Sequence, residues 1–256
     1  MRVLVLSSGG KDSAYALWWS LMKGWDVAGL VTIRTTGDES MMFQGAGTEI
    51  VGLQALASGL PWLPIIQSKE NGVESLELGL AGVIQGINWP RSQVWTNSEI
   101  RDAAWPKLWA WPKELVRLRC DKAIDGIVSG AIRSDYQRTR LDRMANRLGI
   151  QSFAPLWHHN AEQHMRDLVR DRFSVIIAAV SAEGLTKHWL GRTIDDKVID
   201  ELVSLNKING LNIDGEGGEF ETIVTAAPWM QHEIQLKFTT DWQKTRGRII
   251  IETATC

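Results

Sequence analysis

The chain has 256 residues, 44% of them hydrophobic and 23% charged, with a formal net charge of −2. This composition is typical of a globular protein and excludes general disorder, and the near-neutral charge gives the whole molecule no electrostatic attraction for nucleic acid or an anionic membrane. The apolar opening is too short for a signal peptide, and no apolar run approaches the roughly 20 residues of a membrane span. We therefore expect a cytoplasmic protein with neither a membrane nor a nucleic acid as partner.

The first part of the sequence alternates strand patterns with helix patterns. Short apolar or β-branched runs predict strands, and apolar residues at helical spacing predict helices. The elements predicted in this order are strand 2–6, helix 12–23, strand 26–33, helix 49–59, strand 62–67 and helix 73–86. Such alternation predicts a parallel sheet with helices on both faces.

Residues 87–112 interrupt this alternation. They hold three prolines and five of the chain's thirteen tryptophans, without a clear period. We predict an irregular segment that covers an apolar surface. The alternative is a surface for a partner or substrate, because exposed aromatic patches mark such sites.

The alternation then resumes and ends in a hairpin. The predicted elements are helix 112–124, strand 126–131, helix 134–149, a short extended piece at 151–157, helix 161–171, strand 173–180, helix 195–209 and a terminal hairpin at 233–254. We expect Ser134 to cap its helix, Gly149 to end it, and "TRGR" to form the hairpin turn. The least arbitrary domain boundary follows residue 157, which divides the chain into residues 1–157 and a smaller part, 158–256.

The cysteines and histidines carry no disulfide or metal signature. Cys120 and Cys256 form no CxxC pair, so we expect neither a disulfide framework nor a structural zinc site. His158, His159 and His164 cluster without the i, i+4 spacing of a zinc pair on a helix. We therefore do not assign these side chains as ligands.

Between the first strand and the first helix lies "SSGGKDS", residues 7–13. Gly9 and Gly10 let the backbone turn sharply and approach a ligand without a Cβ clash. The helix begins directly afterwards, so its free N–H groups point at whatever fills the loop, and a phosphate suits that position best. The side chains that would add hydrogen bonds, a positive charge or a magnesium ligand are Ser7, Ser8, Ser13, Lys11 and Asp12.

This loop lacks the GxxxxGK[ST] spacing of a Walker A motif and the GxGxxG spacing of a dinucleotide-binding loop. A plain strand–helix turn is the alternative. The hexapeptide "SGGKDS" after a first strand resembles the PP-loop of the N-type ATP pyrophosphatases. That resemblance implies ATP, with Mg²⁺, cleaved between its α and β phosphates. The loop would hold pyrophosphate, and AMP would pass to an acceptor.

A second stretch, "GEGGEFET" at residues 215–222, crowds carboxylates among glycines. Like charges this close cost energy unless a cation or hydrogen-bond donors compensate them. The functional interpretation is a cation or substrate site, and the alternative is a solvated glycine turn that leads into a strand. The candidates here are Glu216, Glu219, Glu221, Gly217 and Gly218.

A third stretch, "VSGAIRSDYQRTR" at residues 128–140, follows a strand and so lies at the carboxyl edge of the sheet, where ligands bind in open α/β folds. Its small residues would approach the nucleotide, and its arginines would match phosphate charge. For any one arginine the alternative is a solvated helix face. The candidates are Ser129, Gly130, Arg133, Ser134, Tyr136, Gln137, Arg138 and Arg140.

Together with "SFAPLW" and "AEGLTKHWLGR", these motifs resemble, in order over residues 1–225, the diphthine–ammonia ligase family. The family implies an α/β fold, with a HUP-type, Rossmann-like open parallel sheet and a second, smaller α+β domain that carries the glutamate-rich loop. It implies that ATP adenylates the carboxylate of diphthine, a modified histidine of elongation factor 2, and that ammonia displaces AMP to leave diphthamide. The implied partners are elongation factor 2 and ammonium, and a homodimer is left open.

Carried onto this sequence, the resemblance implies three sets of site residues. ATP would be bound by Ser7, Ser8, Gly9, Gly10, Lys11, Asp12, Ser13, Ser129 and Gly130, with Asp12 as the metal ligand. The acceptor would be bound by Ser134, Tyr136, Gln137, Arg140, Gly217 and Gly218. Catalysis would involve Lys11, Asp12, Glu216, Glu219 and Glu221, the glutamates orienting ammonia, binding magnesium or meeting the trimethylammonium group of diphthine.

Two other functions stay open on the sequence. One is another PP-loop ATP pyrophosphatase that modifies tRNA or a small molecule, although the near-neutral charge does not favour tRNA. The other is a non-catalytic nucleotide-binding module, which the intact Lys11, Asp12 and Ser13 argue against. Product analysis separates them, because a ligase releases AMP and pyrophosphate and a binding module releases neither.

Overall fold

The parallel sheet predicted from the strand–helix alternation is present. The structure, a computed structural model, describes residues 1–35, 49–67, 72–84, 105–118 and 122–256. Within them the first sheet has five parallel strands, β1 (Arg2–Leu6), β2 (Asp26–Thr35), β3 (Trp62–Gln67), β4 (Gly126–Val128) and β5 (Gln151–Phe153). Their order is β3-β2-β1-β4-β5. From β1 the chain adds β2 and β3 on one side of the sheet and then β4 and β5 on the other, so the strand order reverses between β1 and β4. In open α/β sheets, ligands bind outside the carboxyl ends of the strands at such a point.

Helices cover both faces of this sheet. They are α1 (Lys11–Met22), α2 (Ile50–Ser58), α3 (Gly72–Ile84) and α4 (Asp135–Arg147). Successive side chains of a strand point to opposite faces. Val3 and Val5 of β1 therefore pack in the cluster that includes α1 and α2, whereas Leu4 and Leu6 pack in the cluster that includes α3 and α4.

The second part of the chain forms an antiparallel sheet with flanking helices, as predicted for a smaller α+β part. Its elements are α5 (Ala161–Arg170), β6 (Ser174–Val180), a short 3₁₀ turn (Lys187–Trp189), α6 (Asp196–Asn209), β7 (Phe220–Ala226), β8 (Gln235–Gln243) and β9 (Arg246–Thr255). The strand order is β7-β6-β9-β8. None of the helices among the described residues is both long and apolar enough to cross a membrane.

One hydrophobic cluster runs through both sheets. It contains Val3 of β1, Leu17 of α1, Val175 of β6 and Val224 of β7. Because the two parts of the chain share buried side chains, they pack as neighbours over a common core. The boundary after residue 157 stays a prediction.

The helix predicted over residues 112–124 is wrong in its described part. Residues 112–118 contain a turn and a parallel bridge between Arg117 and Trp62. Trp62 N donates to Val116 O (2.9 Å), and Leu118 N donates to Trp62 O (3.3 Å). The physical reason is that β3 lies at the edge of the sheet, where its backbone groups need partners that a helix would not supply.

The described part of the tryptophan-rich segment belongs to the core. Trp105 and Trp109 are each 6% exposed, and the Trp105 ring meets the edges of Trp62 and Trp111 at centroid distances of 6.0 and 5.2 Å. A Cβ at Gly52 of α2 would come within 2.5 Å of the Trp105 ring. The missing side chain at Gly52 therefore leaves room for the indole of Trp105. Residues 87–104, with the other two tryptophans of the segment, lie outside the described residues, as does Cys120.

The terminal hairpin is confirmed, but its turn lies two positions earlier than predicted. Gln243 pairs with Arg246, so the turn consists of Lys244, at φ 55°, and Thr245. Gly247 lies inside β9 and pairs with Trp242. A Cβ there would come within 2.5 Å of the Trp242 ring, which explains the glycine by packing instead of by turn geometry.

Candidate active site

A cavity of about 320 Å³ opens at the carboxyl ends of the central parallel strands. It lies between the loop after β1, the loop after β4 and the loop before β7. The predicted site residues that line it are Ser7, Ser8, Gly10, Lys11, Asp12, Ser13, Ser129, Gly130, Gln137, Glu216, Gly218 and Glu221. An apolar part of its wall consists of Leu6, Val31, Ile33 and Leu141. The three motifs, distant in sequence, therefore share one space.

The loop after β1 is held by its own hydroxyl groups. Ser13 Oγ accepts a hydrogen bond from Ser8 N (3.2 Å) and donates one to Gly10 O (3.1 Å). Gly9 has φ 87°, a conformation that glycine adopts without strain. Gly10 is the N-cap of α1 and brings no capping side chain. The dipole and N–H groups at the start of α1 therefore suit an anion in the cavity.

Strand β7 packs directly against this loop. Val224 N donates to Gly9 O (3.0 Å), and Lys11 N donates to Thr222 Oγ1 (3.1 Å). Gln54 of α2 is fully buried, and its Nε2 donates to both Gly9 O (3.0 Å) and Val224 O (2.8 Å). Because this buried amide donates to a backbone oxygen on each side, it fixes the spacing between the loop after β1 and strand β7.

Replacing Gln54 with leucine should destabilise the protein by about 1–3 kcal/mol, because the Val224 carbonyl loses its donor in a buried position. Chemical denaturation followed by circular dichroism measures the change. The same substitution at the exposed Gln243 is the control and should fall within about 0.5 kcal/mol of wild type. Equal effects of the two substitutions would contradict the role given to Gln54.

Lys11 and Asp12 form an ion pair at the start of α1. Lys11 is only 4% exposed, and its Nζ lies 2.9 Å from Asp12 Oδ2. The other oxygen, Asp12 Oδ1, lies 2.8 Å from Nε2 of the buried His164 of α5. Burial by itself would raise the pKa of Asp12, but the charge of Lys11 and the hydrogen bond with His164 lower it below its usual value. Asp12 is therefore an ionised carboxylate at neutral pH.

Gly130, in the loop after β4, packs on the backbone of the first turn of α1. A Cβ at this position would lie 2.6 Å from Asp12 C and 2.6 Å from Ser13 N. Backbone atoms cannot rotate aside as a flexible side chain would. Gly130 thus brings the two loops together on one side of the cavity.

Glu216 of the glutamate-rich loop borders the same cavity as Asp12. Glu216 Oε1 accepts a hydrogen bond from Arg133 N (3.3 Å), and Glu216 N donates to Asp214 Oδ1 (3.3 Å). Burial and the negative charge of Asp12 raise the pKa of Glu216 above its usual value. Two neighbouring carboxyl groups therefore have pKa values moved in opposite directions, a common feature of sites that carry out acid–base chemistry.

Replacing Glu216 with glutamine should stabilise the fold at neutral pH. The pKa of Glu216 is higher in the folded than in the unfolded state, so the folded state holds the ionised carboxylate less favourably than the unfolded state does. Above the folded-state pKa, this difference lowers the free energy of unfolding. That cost disappears as the pH falls below the ordinary glutamate pKa. Denaturation midpoints across this range should show E216Q above wild type at neutral pH, with the gap closing in acid. The same change at the exposed Glu233 is the control.

Six residues of the three site sets that the family resemblance implies, all within the described ranges, lie outside the lining of the cavity. Gly9 belongs to the loop after β1, and its carbonyl oxygen is hydrogen-bonded to β7 as described above. Glu219 Oε1 accepts hydrogen bonds from N and Nδ2 of Asn212 at 3.2 and 2.5 Å, so this carboxylate braces the glutamate-rich loop from within. Gly217 is exposed beside the same pair of side chains.

The other three belong to the start of α4. Ser134 caps the helix, as predicted, by accepting a hydrogen bond from Gln137 N (3.3 Å). Tyr136 is 51% exposed, and the Arg140 guanidinium lies 4.3 Å from the centre of its ring. These two side chains form an exposed pair, and Gln137 is the residue of α4's first turn that reaches the cavity.

Three residues that build the site are not predicted as site residues from the sequence: Gln54, Asp214 and His164. Gln54 and Asp214 were not singled out, although a glutamine inside the apolar run "IVGLQALA" is a signal that a polar group must find buried partners. For His164, the sequence offers only the spacing argument against a zinc pair. Its contact with Asp12 is decided by how α5 packs on α1, for which a single sequence carries no signal.

The chain matches two family models and several named proteins over most of its length. The model of the diphthamide synthase N-terminal domain matches residues 1–91, and that of the diphthamide synthase C-terminal domain matches residues 160–256. The human protein named diphthine–ammonia ligase is 32% identical over 247 residues, which cover 91% of this chain and 82% of that protein. The chain belongs to the diphthamide synthase family. The resemblance seen in the sequence motifs is thereby confirmed, and the chain is an ATP-dependent ligase that forms a C–N bond.

Similarity of this kind extends to fungi. The protein of the same name from Schizosaccharomyces pombe is 31% identical over 240 residues, which cover 92% of this chain but 36% of that longer protein. A solved structure of a predicted subunit of tRNA methyltransferase from Methanocaldococcus jannaschii aligns at 17% identity with a TM-score of 0.37, covering 89% of this chain and 98% of that one. A likeness that weak says nothing about function.

Proposed function

We propose that this protein is a diphthine–ammonia ligase, which adenylates the carboxylate of diphthine on elongation factor 2 with ATP and then amidates it with ammonia. One observation carries the proposal. Lys11 and Asp12 of the loop after β1 and Glu216 of the glutamate-rich loop line a single cavity. The family supports ATP use, and relatives named for this reaction match over most of the chain.

ATP would lie along the cavity from its apolar wall to the start of α1. The base would pack against Leu6, Val31 and Ile33, which are apolar side chains at the ends of β1 and β2. The phosphates would meet the N–H groups at the start of α1 and the positive charge of Lys11. This orientation directs the α-phosphate toward the loops that carry Ser129 and Glu216.

In the first step, a diphthine carboxylate oxygen attacks the α-phosphorus of ATP. The bond to the bridging oxygen breaks, pyrophosphate leaves with the electron pair, and an acyl adenylate forms. Negative charge grows on the departing pyrophosphate, and Lys11 with the dipole of α1 stabilises it there. Both are held in place before the reaction starts, Lys11 by burial and by Asp12.

In the second step, the nitrogen of ammonia attacks the acyl carbon and AMP leaves with the electron pair of the broken C–O bond. The new amide nitrogen must lose a proton. Glu216 is the group to accept it, because its carboxylate borders the same cavity and its raised pKa makes it a stronger base than an ordinary glutamate. Glu221, which also borders the cavity, would help to bind the cationic part of diphthine.

Magnesium fits beside Asp12. The carboxylate is ionised, it borders the cavity, and each of its oxygens keeps a second lone pair beyond its contact with Lys11 or His164. Magnesium sites on nucleotides need one or two carboxylates, with phosphates and water as further ligands. The ion would neutralise phosphate charge, and Asp12 would hold it against the phosphate chain.

The test incubates the protein with ATP, ammonium and elongation factor 2 bearing diphthine. Mass spectrometry should detect the small mass decrease of acid-to-amide conversion, and chromatography should detect AMP and pyrophosphate. Omission of ammonium is the control and should prevent amide formation. A folded protein that leaves the acceptor unchanged, or that yields ADP, would rule the proposal out.

The same proposal includes the partners and the organisation of the chain. Elongation factor 2 and ammonium would be the partners, in the cytoplasm, where translation takes place. Residues 1–157 would bind ATP, and residues 158–256 would bind the acceptor. A homodimer stays a prediction that size-exclusion chromatography with light scattering can test.

A further inference from the structure

Arg133, Asp214 and Glu216 form a closed ring of hydrogen bonds at the edge of the cavity. An Arg133 guanidinium nitrogen contacts Asp214 Oδ2. Asp214 Oδ1 accepts from Glu216 N at 3.3 Å, and Glu216 Oε1 accepts from Arg133 N at 3.3 Å. Each residue thus contacts both of the others, and the ring includes the backbone and the side chain of Glu216.

The ring joins the two parts of the chain. Arg133 follows β4 of the parallel sheet, whereas Asp214 and Glu216 precede β7 of the antiparallel sheet. The Asp214 side chain is 0% exposed, and an ionised carboxylate in that position is costly without a cation beside it. Arg133 supplies that cation, and its other guanidinium nitrogen donates to His159 O at 3.1 Å, which fixes the direction of the side chain.

Glu216 needs such support because its neighbours leave the backbone free to turn. Gly215, directly before Glu216, and Gly218 both have positive φ, 71° and 83°, and Gly217 lies between Glu216 and Gly218. A segment so rich in glycine populates many conformations unless contacts select one. A group that must meet a reacting atom has to be held within a fraction of an ångström.

We propose that Arg133 and Asp214 are positioning residues that hold the Glu216 carboxylate over the phosphate-binding loop for the ammonia-dependent step. The proposal rests on the proposed function for the role of Glu216. It concerns neither ATP binding nor the PP-loop, so its consequences are confined to amide formation. It also ties the use of ammonia to the correct packing of the two parts of the chain.

The test uses Arg133→Leu combined with Asp214→Asn, which removes both charges and leaves no unpaired buried charge. We expect amide formation to fall, or the KM for ammonium to rise, on the order of ten- to a hundredfold, with the KM for ATP unchanged. Arg133→Lys, which keeps a cation beside Asp214, should recover part of the loss. Arg147→Ala breaks an exposed pair with Glu77 and should behave like wild type.

A second measurement separates positioning from a general structural role. In an E216Q background, the Arg133 and Asp214 changes should cost nothing further, because they act through Glu216. Full additivity, or wild-type kinetics in the double variant, would overturn the proposal. If the wild-type protein makes no amide, the proposed function fails, and a crystal structure of the double variant still decides: a displaced Glu216 carboxylate supports positioning, and an unmoved one refutes it.

Discussion

Replacing Lys11 with methionine is expected to reduce AMP and pyrophosphate release by about two to three orders of magnitude, the usual cost of removing one preorganised group that stabilises transition-state charge. Lys11 is 4% exposed, so water cannot readily take its place. Methionine has a similar length and keeps the packing beneath the Phe220 ring, which lies 5.8 Å from Lys11 Nζ. The loss should appear in the rate of ATP cleavage with ammonium and acceptor both saturating.

The control is Lys23→Met, the same substitution at an exposed lysine just beyond the end of α1. Its cleavage rate should match wild type. Circular dichroism should show both variants folded, because Asp12 keeps its contact with His164 when Lys11 is lost. Near-normal AMP release by Lys11→Met would refute the assignment of the loop after β1 as the pyrophosphate site.

Replacing Gly130 with alanine is expected to weaken ATP binding on the order of ten- to a hundredfold, because small displacements of positioned groups have effects of that size. The new Cβ would lie 2.6 Å from backbone atoms of both Asp12 and Ser13, so the first turn of α1 or the loop after β4 must move. Strain of this kind should also lower stability by about 1–3 kcal/mol. Nucleotide titration by calorimetry and thermal unfolding measure the two effects.

Gly149→Ala is the matched control. Gly149 ends α4 at φ 70° with no atom within 4 Å of an added Cβ, so alanine there meets only backbone strain, about 1–2 kcal/mol. It should lose stability without losing ATP affinity. An affinity for ATP that is unchanged in Gly130→Ala would show that the loop after β4 and the start of α1 are not coupled.

Most of the secondary structure could be predicted because its signals are local. The run "RVLVL", the strand "WLPIIQ" and the helix that begins after Ser134 carry their own periodicity and caps, and the structure places them with nearly the predicted bounds. The exception, residues 112–118, has apolar residues at Leu115 and Leu118 that fit a helix equally well. Residues 112–118 instead supply backbone partners to the edge strand β3 through the bridge between Trp62 and Arg117. No local pattern indicates a partner 55 residues away in the sequence.

The composition of the site could be predicted only in part. The PP-loop residues lie where a strand–loop–helix unit must place them, so Lys11, Asp12 and Ser13 line the cavity as expected. The glutamate-rich loop was predicted as one group of three carboxylates. In the structure Glu216 and Glu221 border the cavity, whereas Glu219 accepts hydrogen bonds from Asn212 behind it. Which of these adjacent carboxylates points into the cavity depends on the turn that the glycines make. The sequence pattern of a loop does not specify that turn.

Hydrophobic periodicity, glycine placement and short motifs act over a few residues, so the order of strands and helices, the PP-loop and the family could all be predicted from the sequence. The contacts of β7 with Gly9, of His164 with Asp12, and of Arg133 and Asp214 with Glu216 depend instead on how the whole chain packs. Except for the contact between Asp214 and Glu216, these contacts join residues 80 to more than 200 positions apart. They arise from the shared core of the two sheets, whose packing sums many weak interactions that no single stretch of sequence contains.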